Sequence, residues 1–211
     1  MDLTDEALIA NYRQTKDPAL FKALVRRYEN RLYSAALRML GNAEEAEEVV
    51  QDTCIKLHQS IERFKSQSSF AAWLFQIAHN CCLDKLRTRH RRSSFGFGWF
   101  SFDPQASPEK EDGQDMSSVV SQAADSAPNP AEKLDLSEQG SVISESLRQL
   151  PDSQRAVVVL HDIEGFSYQE ISDIVGANIG TVRSRLHYGR LKLRELLEPY
   201  FQKSDIAPAS R

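Results

Sequence analysis

Long apolar runs are absent from this sequence of 211 residues, which argues against a membrane-spanning protein. No stretch approaches the roughly 20 apolar residues that a helix needs to cross a bilayer. The first residues, MDLTDEALIANYRQ, also lack the basic and hydrophobic segments of a secretory signal. We therefore expect a globular chain that does not insert into a membrane and that works in the cytoplasm.

Cysteine is scarce, and its positions exclude most cysteine chemistry. Cys54, Cys81 and Cys82 are odd in number and form no CxxC pair, so a disulfide framework is not expected. A zinc site built on His79, Cys81 and Cys82 is disfavoured, because adjacent helical positions point about 100° apart and a fourth ligand is missing. We expect no metal and no cofactor, with the cysteines acting as small buried hydrophobes.

Alternating apolar and polar residues are missing too, so nothing predicts a sheet, and no internal repeat is present. Apolar residues recur instead at helical spacing on both sides of a stretch rich in Ser, Pro, Gly and Asp. That stretch carries one lysine against seven acids, although the whole chain has a net charge of only −4. We predict an all-α fold of two small helical domains, 1–92 and 133–203, with a flexible linker, 93–132, and a tail, 204–211.

The first domain contains three clear helical patterns. An apolar stripe over residues 20–40 ends at Gly41-Asn42, a second helix starts near Ala43, and a third follows Ser69. The third helix ends in a cationic tail over residues 85–92, with more cations than helix capping requires. Four residues near its start are expected in the core: Phe70, Trp73, Leu74 and Phe75.

The second domain contains the pattern of a helix-turn-helix. After a helix that restarts at Pro151, Ser167 and Glu170 form a capping box, Gly176 breaks the short helix that follows, and Asn178 can cap the next one. Two short helices joined by a tight, glycine-containing turn are typical of this unit. Its inward face is predicted to consist of Ile171, Ile174, Val175, Ile179, Val182 and Leu186.

The second helix of such a unit lies in the DNA major groove. Five cations stand between Arg183 and Arg194 with no carboxylate among them. Arginine can grip guanine through two parallel hydrogen bonds, and Ser, Thr and His contact bases or phosphates. A cationic helix end alone is as often a solvated face, but the preceding turn favours DNA binding. The predicted DNA-facing residues are Thr181, Arg183, Ser184, Arg185, His187, Tyr188 and Arg190.

Two blocks of sequence also resemble a known family along nearly the whole chain. They are AEEAEEVVQDTCIKLHQSIERF with FAAWLFQIAHNCCLDKLR in the first domain, and LPDSQRAVVVLHDIEGFSYQEISDIVGANIGTVRSRL in the second. The chain resembles bacterial RNA polymerase sigma factors of the sigma-70 family, in the extracytoplasmic-function (ECF) group that keeps the second and fourth conserved regions. The resemblance implies a transcription initiation factor, not an enzyme, whose partners are core RNA polymerase, promoter DNA and an anti-sigma factor.

The resemblance also implies roles for individual residues. In the family, the helix matching AEEAEEVVQDT binds the coiled coil of the polymerase clamp, which here gives Glu48, Gln51, Asp52 and Ile55. The minus-ten promoter element would be opened by the loop from Phe64 to Ser69, which includes Ser68 and would hold a flipped base. Asn80, Asp84 and Arg87 would face this element. Its phosphates would be bound by Arg89, Arg91 and Arg92. The minus-thirty-five element would be read mainly by Arg183, Ser184 and His187.

The sequence departs from the family pattern within the second block. The recognition helix commonly continues as Arg-Ala-Arg, whereas this chain has Tyr188-Gly189-Arg190. Tyr188 replaces a cation with an aromatic surface. Gly189 costs the helix about 1 kcal/mol relative to alanine.

The linker allows the two domains several arrangements. Its length of about 40 residues gives an r.m.s. span near 35 Å, whereas two promoter elements lie about 70 Å apart, so polymerase must set their separation. We hypothesise that in the free protein the domains pack together and mask both DNA faces. The linker contains five aromatic residues: Phe95, Phe97, Trp99, Phe100 and Phe102. Two roles fit them equally well: they could dock on polymerase or an anti-sigma factor, or they could pack on their own domain.

Two rival functions fit the sequence less well. A conventional repressor or activator would need no second nucleic-acid region and usually carries a ligand or dimerisation domain. A nuclease or recombinase could use the carboxylates from Glu44 to Asp52, but these have no His or Lys partner at catalytic spacing and no phosphate-binding glycine loop.

Overall fold

The computed structural model describes residues 3–65, 69–94 and 138–204, and within these ranges the chain is helical and has no strand. The all-α prediction is therefore confirmed. The first four helices are α1 (Asp5–Thr15), α2 (Pro18–Leu40), α3 (Ala43–Ser60), followed by a 3₁₀ turn (Ile61–Arg63), and α4 (Phe70–Ser94). The second set is α5 (Glu138–Arg148), α6 (Asp152–Val158) with a π-helical turn (Val159–Ile163), α7 (Tyr168–Val175) and α8 (Ile179–Ser204). The predicted linker and its aromatic cluster lie outside the described residues.

Local capping signals set the helix starts. The side chains of Asp17 and Asn42 accept hydrogen bonds from the backbone N–H groups of Ala19 and Glu45, at 2.9 and 2.8 Å. Gly41 ends α2 with φ of +68°, the left-handed conformation that favours glycine. These signals lie within a few residues of each helix end, which is why the sequence predicted α2 and α3 closely.

Helices α1–α4 pack into a first lobe around a hydrophobic core. Tyr28, Phe64 and Trp73 surround the buried ring of Phe70, with ring centroids 5.5 to 6.1 Å from its own. Phe70, Leu74 and Phe75 are buried and Trp73 is half-buried, as their spacing predicted. Cys54, Cys81 and Cys82 are free thiols, and burial raises the pKa of Cys82 to about 12.

Helices α5–α8 form a second lobe, and its capping box is present as predicted. The Ser167 hydroxyl and the Glu170 backbone N–H lie 3.3 Å apart, while the Glu170 carboxylate accepts from the Ser167 backbone at 3.0 Å. One expectation needs correction: residues 152–164 are not a regular α-helix throughout. From Val159 the turn widens, and the Glu164 N–H donates to the Val159 carbonyl five residues earlier.

The two lobes pack against each other through a single continuous hydrophobic cluster. Phe75 of α4 and Phe166 meet edge to face, with centroids 4.9 Å apart. Polar contacts surround this pair: Gln76 donates to the Asp173 carbonyl at 2.8 Å, and the Ser69 hydroxyl donates to Glu170 at 2.9 Å. We call this packing the closed arrangement.

A buried arginine stands at the centre of the closed arrangement. Arg155 of α6, only 7% exposed, donates to the Met39 carbonyl of α2 at 2.5 Å and to the Leu150 carbonyl at 2.8 Å. Burial lowers the pKa of Arg155, and the Asp152 carboxylate opposes that effect. The Met39 and Leu150 carbonyl oxygens thereby accept hydrogen bonds that water would accept from an exposed guanidinium.

Candidate polymerase and nucleic-acid surfaces

An exposed stripe runs along α3. Glu48, Gln51, Asp52 and Ile55 are all exposed and follow the i, i+3, i+4, i+7 spacing of one helical face. Ile55 is 56% exposed, which is unusual for a large aliphatic side chain flanked by carboxylates. The structure therefore brings together the four residues predicted to bind polymerase, and we call them the α3 stripe.

A second exposed face lies on α4. Asn80, Asp84 and Arg87 are exposed and follow one another at spacings of four and three. Asp84 lies between two cations, with its carboxylate 3.6 Å from Arg87 and 3.9 Å from Lys56. The face thus combines an amide, a carboxylate and a guanidinium, which together can donate to and accept from base edges.

Next to this face lies a shallow cavity of about 420 Å³. It is lined by Lys56, Gln59, Ser60, Arg63, Ile77 and Asn80. Sequence reasoning missed Lys56, Gln59 and Arg63: their spacing along the end of α3 and the 3₁₀ turn indicates a shared face, but not that α4 meets it to form a cavity. The cavity offers two cations for phosphates and an apolar side chain for a base, and we call it the α4 cavity.

The other predicted minus-ten residues differ in their surroundings. Arg89 already donates to the Leu40 carbonyl at 3.2 Å and forms an ion pair with Glu45, so its guanidinium stabilises the lobe itself. Arg91 is exposed, with one hydrogen bond of 3.3 Å to the Thr88 hydroxyl. Arg92 is exposed. Ser68 lies outside the described residues.

The helix-turn-helix consists of α7, Gly176 in a left-handed conformation, and α8. The Asn178 side chain caps α8 by accepting from the Thr181 N–H at 2.8 Å, as its position predicted. Val182 and Leu186 are buried, whereas Ile179 is half-buried. The start of α8 is therefore held as a recognition helix.

The outward residues of α8 divide into two sets. Arg183, Ser184, His187 and Tyr188 are exposed, and Tyr188 is 58% exposed. The Arg183 guanidinium lies over the Tyr168 ring, 5.8 Å from its centroid. Thr181 is half-buried, and its hydroxyl is 3.1 Å from Asn178. Arg190 donates to Asp162 through Nε at 3.0 Å, so the guanidinium predicted to contact DNA is paired with a carboxylate.

Arg185 lies at the boundary between the lobes. It is half-buried and acts electrostatically on His79 of α4, which is 5% exposed. Burial, with repulsion from Arg185 and Arg87, lowers the pKa of His79 to about 4. His79 is therefore neutral at physiological pH, and the recognition helix lies close to the helix predicted to face the minus-ten element.

The closed arrangement corrects one hypothesis. Packing of the lobes was expected to mask both DNA faces, yet Asn80, Asp84, Arg87, Arg183 and His187 remain exposed. The hypothesis is wrong for these residues because the contacts of Phe75 and Gln76 with the second lobe lie a turn nearer the start of α4 than Asn80, where the predicted face begins.

Gly189 also has an explanation in the structure. An added Cβ would lie 2.8 Å from Cγ2 of Val158 in α6 and 3.5 Å from Cβ of Gln154. Gly189 therefore allows α8 to approach α6 closely, which offsets its low helix propensity.

Two features are absent from the described residues, a metal-binding cluster and a membrane-spanning helix. No group of three His, Cys, Asp or Glu side chains in these ranges is placed to hold a metal ion. No described helix is long and apolar enough to cross a membrane.

Comparison with known proteins identifies the family. Sigma-70 region 2 matches residues 24–92, and Sigma-70 region 4 matches residues 141–193. The ECF RNA polymerase sigma factor SigW of Bacillus subtilis is 30% identical over 86% of this chain and 90% of its own length. The ECF RNA polymerase sigma factor SigE of Mycolicibacterium smegmatis is 36% identical over 82% of this chain, and the match covers 60% of the length of that relative.

A solved structure supports the same assignment. The sigma factor RpoE of Bartonella quintana, in complex with the anti-sigma factor NepR, is 28% identical with a TM-score of 0.61, covering 84% of this chain and 96% of that one. Sigma factors are initiation factors and not enzymes, so the nuclease alternative is wrong. The chain belongs to the ECF group of the sigma-70 family and directs RNA polymerase to promoters.

Proposed function

We propose that this sigma factor divides its work among three surfaces. The α3 stripe docks on core RNA polymerase. The α4 face and the α4 cavity capture and open the minus-ten element, with Arg91 and Arg92 on the phosphates. The exposed residues of the recognition helix, led by Arg183, Ser184 and His187, read the minus-thirty-five element.

One observation carries this proposal: the α3 stripe, the α4 face and the exposed residues of the recognition helix lie on different helices and are exposed at the same time. The α3 stripe is acidic and carries the exposed Ile55, which suits a protein partner and repels DNA. The recognition helix instead presents Arg183 without a carboxylate partner among its neighbours at 179–194. Charge thus assigns protein and DNA to different surfaces.

Binding to a whole promoter requires the lobes to separate. In the closed arrangement Arg185 of the recognition helix lies near enough to His79 of α4 to shift its pKa. The two promoter elements are about two duplex turns apart, close to 70 Å. A closed molecule cannot place both helices on their elements, so polymerase must hold the lobes apart.

The free protein is therefore proposed to bind promoter DNA weakly. The Ser69–Glu170 contact adds to this effect. Burial acts to raise the pKa of Glu170, but hydrogen bonds from the Ser167 backbone, the Ser167 hydroxyl and Ser69 outweigh it, so the pKa is lowered. A carboxylate that stays ionised next to Ser69 repels a phosphate backbone there.

Three further assignments belong to the same proposal. The protein works in the cytoplasm, where promoters and polymerase are found. Its domains are 1–92 and 133–203, joined by 93–132 and followed by 204–211. An anti-sigma factor restrains it, as the solved complex of its Bartonella relative suggests.

Run-off transcription tests the proposal. Purified protein is added to bacterial core polymerase with fragmented DNA from its own genome as template. New discrete transcripts that core polymerase alone does not produce are expected, and their start sites give the promoter sequence. Failure to co-elute with core would exclude polymerase docking. Co-elution without transcripts would refute the assignment of the DNA surfaces on these templates.

A further inference from the structure

An arginine of α1 reaches across the first lobe to the end of α3. Arg13 donates through Nε and Nη2 to the Ile61 carbonyl, at 3.2 and 2.6 Å, and through Nη2 to the Phe64 carbonyl at 2.6 Å. Nearly fifty residues separate donor and acceptors along the chain. One guanidinium thus holds both ends of the turn that follows α3.

These carbonyls have few other donors. The last carbonyls of a helix have no intrahelical N–H partners. Among the described residues, one backbone N–H donates to these two carbonyls, that of Phe64 to Ile61 at 3.3 Å. A guanidinium is suited to this position because it offers several N–H groups in a fixed plane and a positive charge at the negative end of a helix. Arg13 therefore acts as a C-terminal cap supplied by another helix.

Both sides of this contact are anchored in the core. Its neighbour Tyr12 is buried, and the Tyr12 ring lies 5.5 Å from Phe21 of α2. On the acceptor side, the Phe64 ring packs against Phe70 and Trp73 of α4, at 5.6 and 5.0 Å. The turn is fixed through its backbone by α1 and through its side chain by α4.

The residue inside this clamp is Arg63. It is exposed, stands between the two carbonyls that Arg13 holds, and lines the α4 cavity together with Lys56 and Asn80. A change in the backbone at Ile61 or Phe64 must move the Arg63 side chain relative to Asn80, because only Glu62 and Arg63 lie between the two held carbonyls. The orientation of the Arg63 side chain in the α4 cavity thus depends on Arg13, which lies outside the cavity.

We infer that Arg13 is a positioning residue for the minus-ten element: it sets the placement of Arg63 in the α4 cavity and contacts no nucleic acid itself. This inference rests on the proposed role of the α4 cavity. It extends that role to α1, which lies before the residues matched to Sigma-70 region 2. The ligand is the exposed single strand of the minus-ten element, whose phosphates Arg63 would meet.

The test compares two DNA probes, both taken from a promoter recovered by run-off transcription and both bound to the holoenzyme. One is a duplex that carries only the minus-thirty-five element. The other is a fork whose minus-ten non-template strand is single. We expect Arg13→Met to weaken fork binding about tenfold, with duplex binding and co-elution with core polymerase unchanged within about twofold.

A double-mutant cycle distinguishes positioning from general stability. If Arg13 acts through Arg63, Arg13→Met has no further effect on fork binding once Arg63→Met is present. Additive losses in the double variant would overturn the inference, as would an equal loss on both probes. Arg13→Lys keeps the charge but not the planar fork, so we expect it to fold normally and to recover only part of the fork binding.

Lys16→Gln is the matched control. Lys16 lies at the end of the same helix and forms an exposed ion pair with Glu62, so its removal tests whether any loosening of α1 is sufficient. We expect fork binding close to wild type. A tenfold loss in this control would assign the effect to α1 as a whole and overturn the role of Arg13. If the wild-type holoenzyme binds fork and duplex equally, the proposed minus-ten role fails and the inference fails with it.

Discussion

Arg155 of the second lobe donates a hydrogen bond of 2.5 Å to the carbonyl of Met39 in the first lobe, 116 positions away along the chain. The same guanidinium bonds the Leu150 carbonyl and Asp152, so the contact is fixed from the side of the second lobe. A buried cation with several carbonyl partners specifies a particular packing more strictly than apolar contact alone.

The first prediction concerns this contact. Arg155→Met leaves the Met39 and Leu150 carbonyls without their donor, and we expect the closed arrangement to lose about 3 kcal/mol. The radius of gyration from X-ray scattering should rise while far-UV circular dichroism remains unchanged. Lys192→Gln, which removes an exposed pair with Glu195, should leave both unchanged. An unchanged radius in Arg155→Met would contradict the prediction.

Arg31 provides an independent test of the same packing. It pairs with Glu164 at 3.0 Å, and the Glu164 side chain is only 6% exposed. Burial raises the pKa of Glu164, and Arg31 counteracts this effect. Arg31→Met should therefore also expand the molecule at neutral pH, because it leaves a buried carboxylate without its partner.

The second prediction separates base reading from phosphate contact. Arg183→Ala should reduce transcription selectively at promoters with the preferred minus-thirty-five sequence, by about 1–3 kcal/mol in binding. Arg91→Ala should weaken holoenzyme binding on all promoters alike and lower the salt slope by about 1. Equal losses on all sequences for Arg183→Ala would refute its base-reading role.

The third prediction concerns the α3 stripe. Ile55→Asp should reduce co-elution with core polymerase at least tenfold, because it replaces the exposed apolar side chain with a charge. Glu47→Gln, an exposed change just beside the stripe, is the control and should bind as the wild type does. The folded state should be unchanged in both, as thermal unfolding can verify.

The fourth prediction concerns Gly189. Alanine improves helix propensity by about 1 kcal/mol, but its Cβ would lie 2.8 Å from Val158, where overpacking costs about 1–3 kcal/mol. We expect Gly189→Ala to lower the free energy of unfolding in the native chain and to raise it by about 1 kcal/mol in a Val158→Ala background. The same sign in both backgrounds would exclude the steric explanation.

The fifth prediction is a pH dependence. His79 has a pKa of about 4 in the closed chain, against an ordinary value near 6.5. Above pH 6.5 the imidazole is neutral whether the chain is folded or unfolded. Between about pH 6.5 and pH 4 only the unfolded chain takes up the proton, so stability falls as pH falls, by on the order of 2 kcal/mol at pH 5.

Denaturant titrations at several pH values check this dependence. In His79→Leu the part of the slope between pH 6.5 and pH 4 due to His79 should disappear. His58→Gln changes an exposed histidine of the same lobe and should retain the slope. A slope that is equal in His79→Leu and in the native chain would assign it to other groups.

Much of the fold could be predicted from the sequence because its signals are local. The capping box of Ser167 and Glu170 and the glycine that ends α7 lie within a few residues of what they control. The hydrogen bonds of Arg155 and Arg13 are different, since each joins a side chain to backbone carbonyls far along the chain. A carbonyl carries no sequence signature, so no pattern could indicate these acceptors.

The candidate surfaces also differ in whether local sequence signals could indicate them. The α3 stripe and the α4 face are helical faces, so spacing alone indicated their members. The α4 cavity is formed where α3, the 3₁₀ turn and α4 meet, and it depends on how the helices cross. The π-helical turn after Val158 was also missed, because the composition of VLHDI suits an ordinary helix.

The exposure of Ile55 and its carboxylate neighbours in the closed arrangement has a kinetic consequence. Polymerase can capture the chain while the lobes are still packed, so encounter and opening are separate events. The observed rate of holoenzyme maturation should therefore rise with polymerase concentration and then level off at a first-order limit, the rate at which the lobes separate and Arg155 leaves the Met39 carbonyl. The strength of the interlobe contacts, with Arg155 among them, would then set the response time of the regulon.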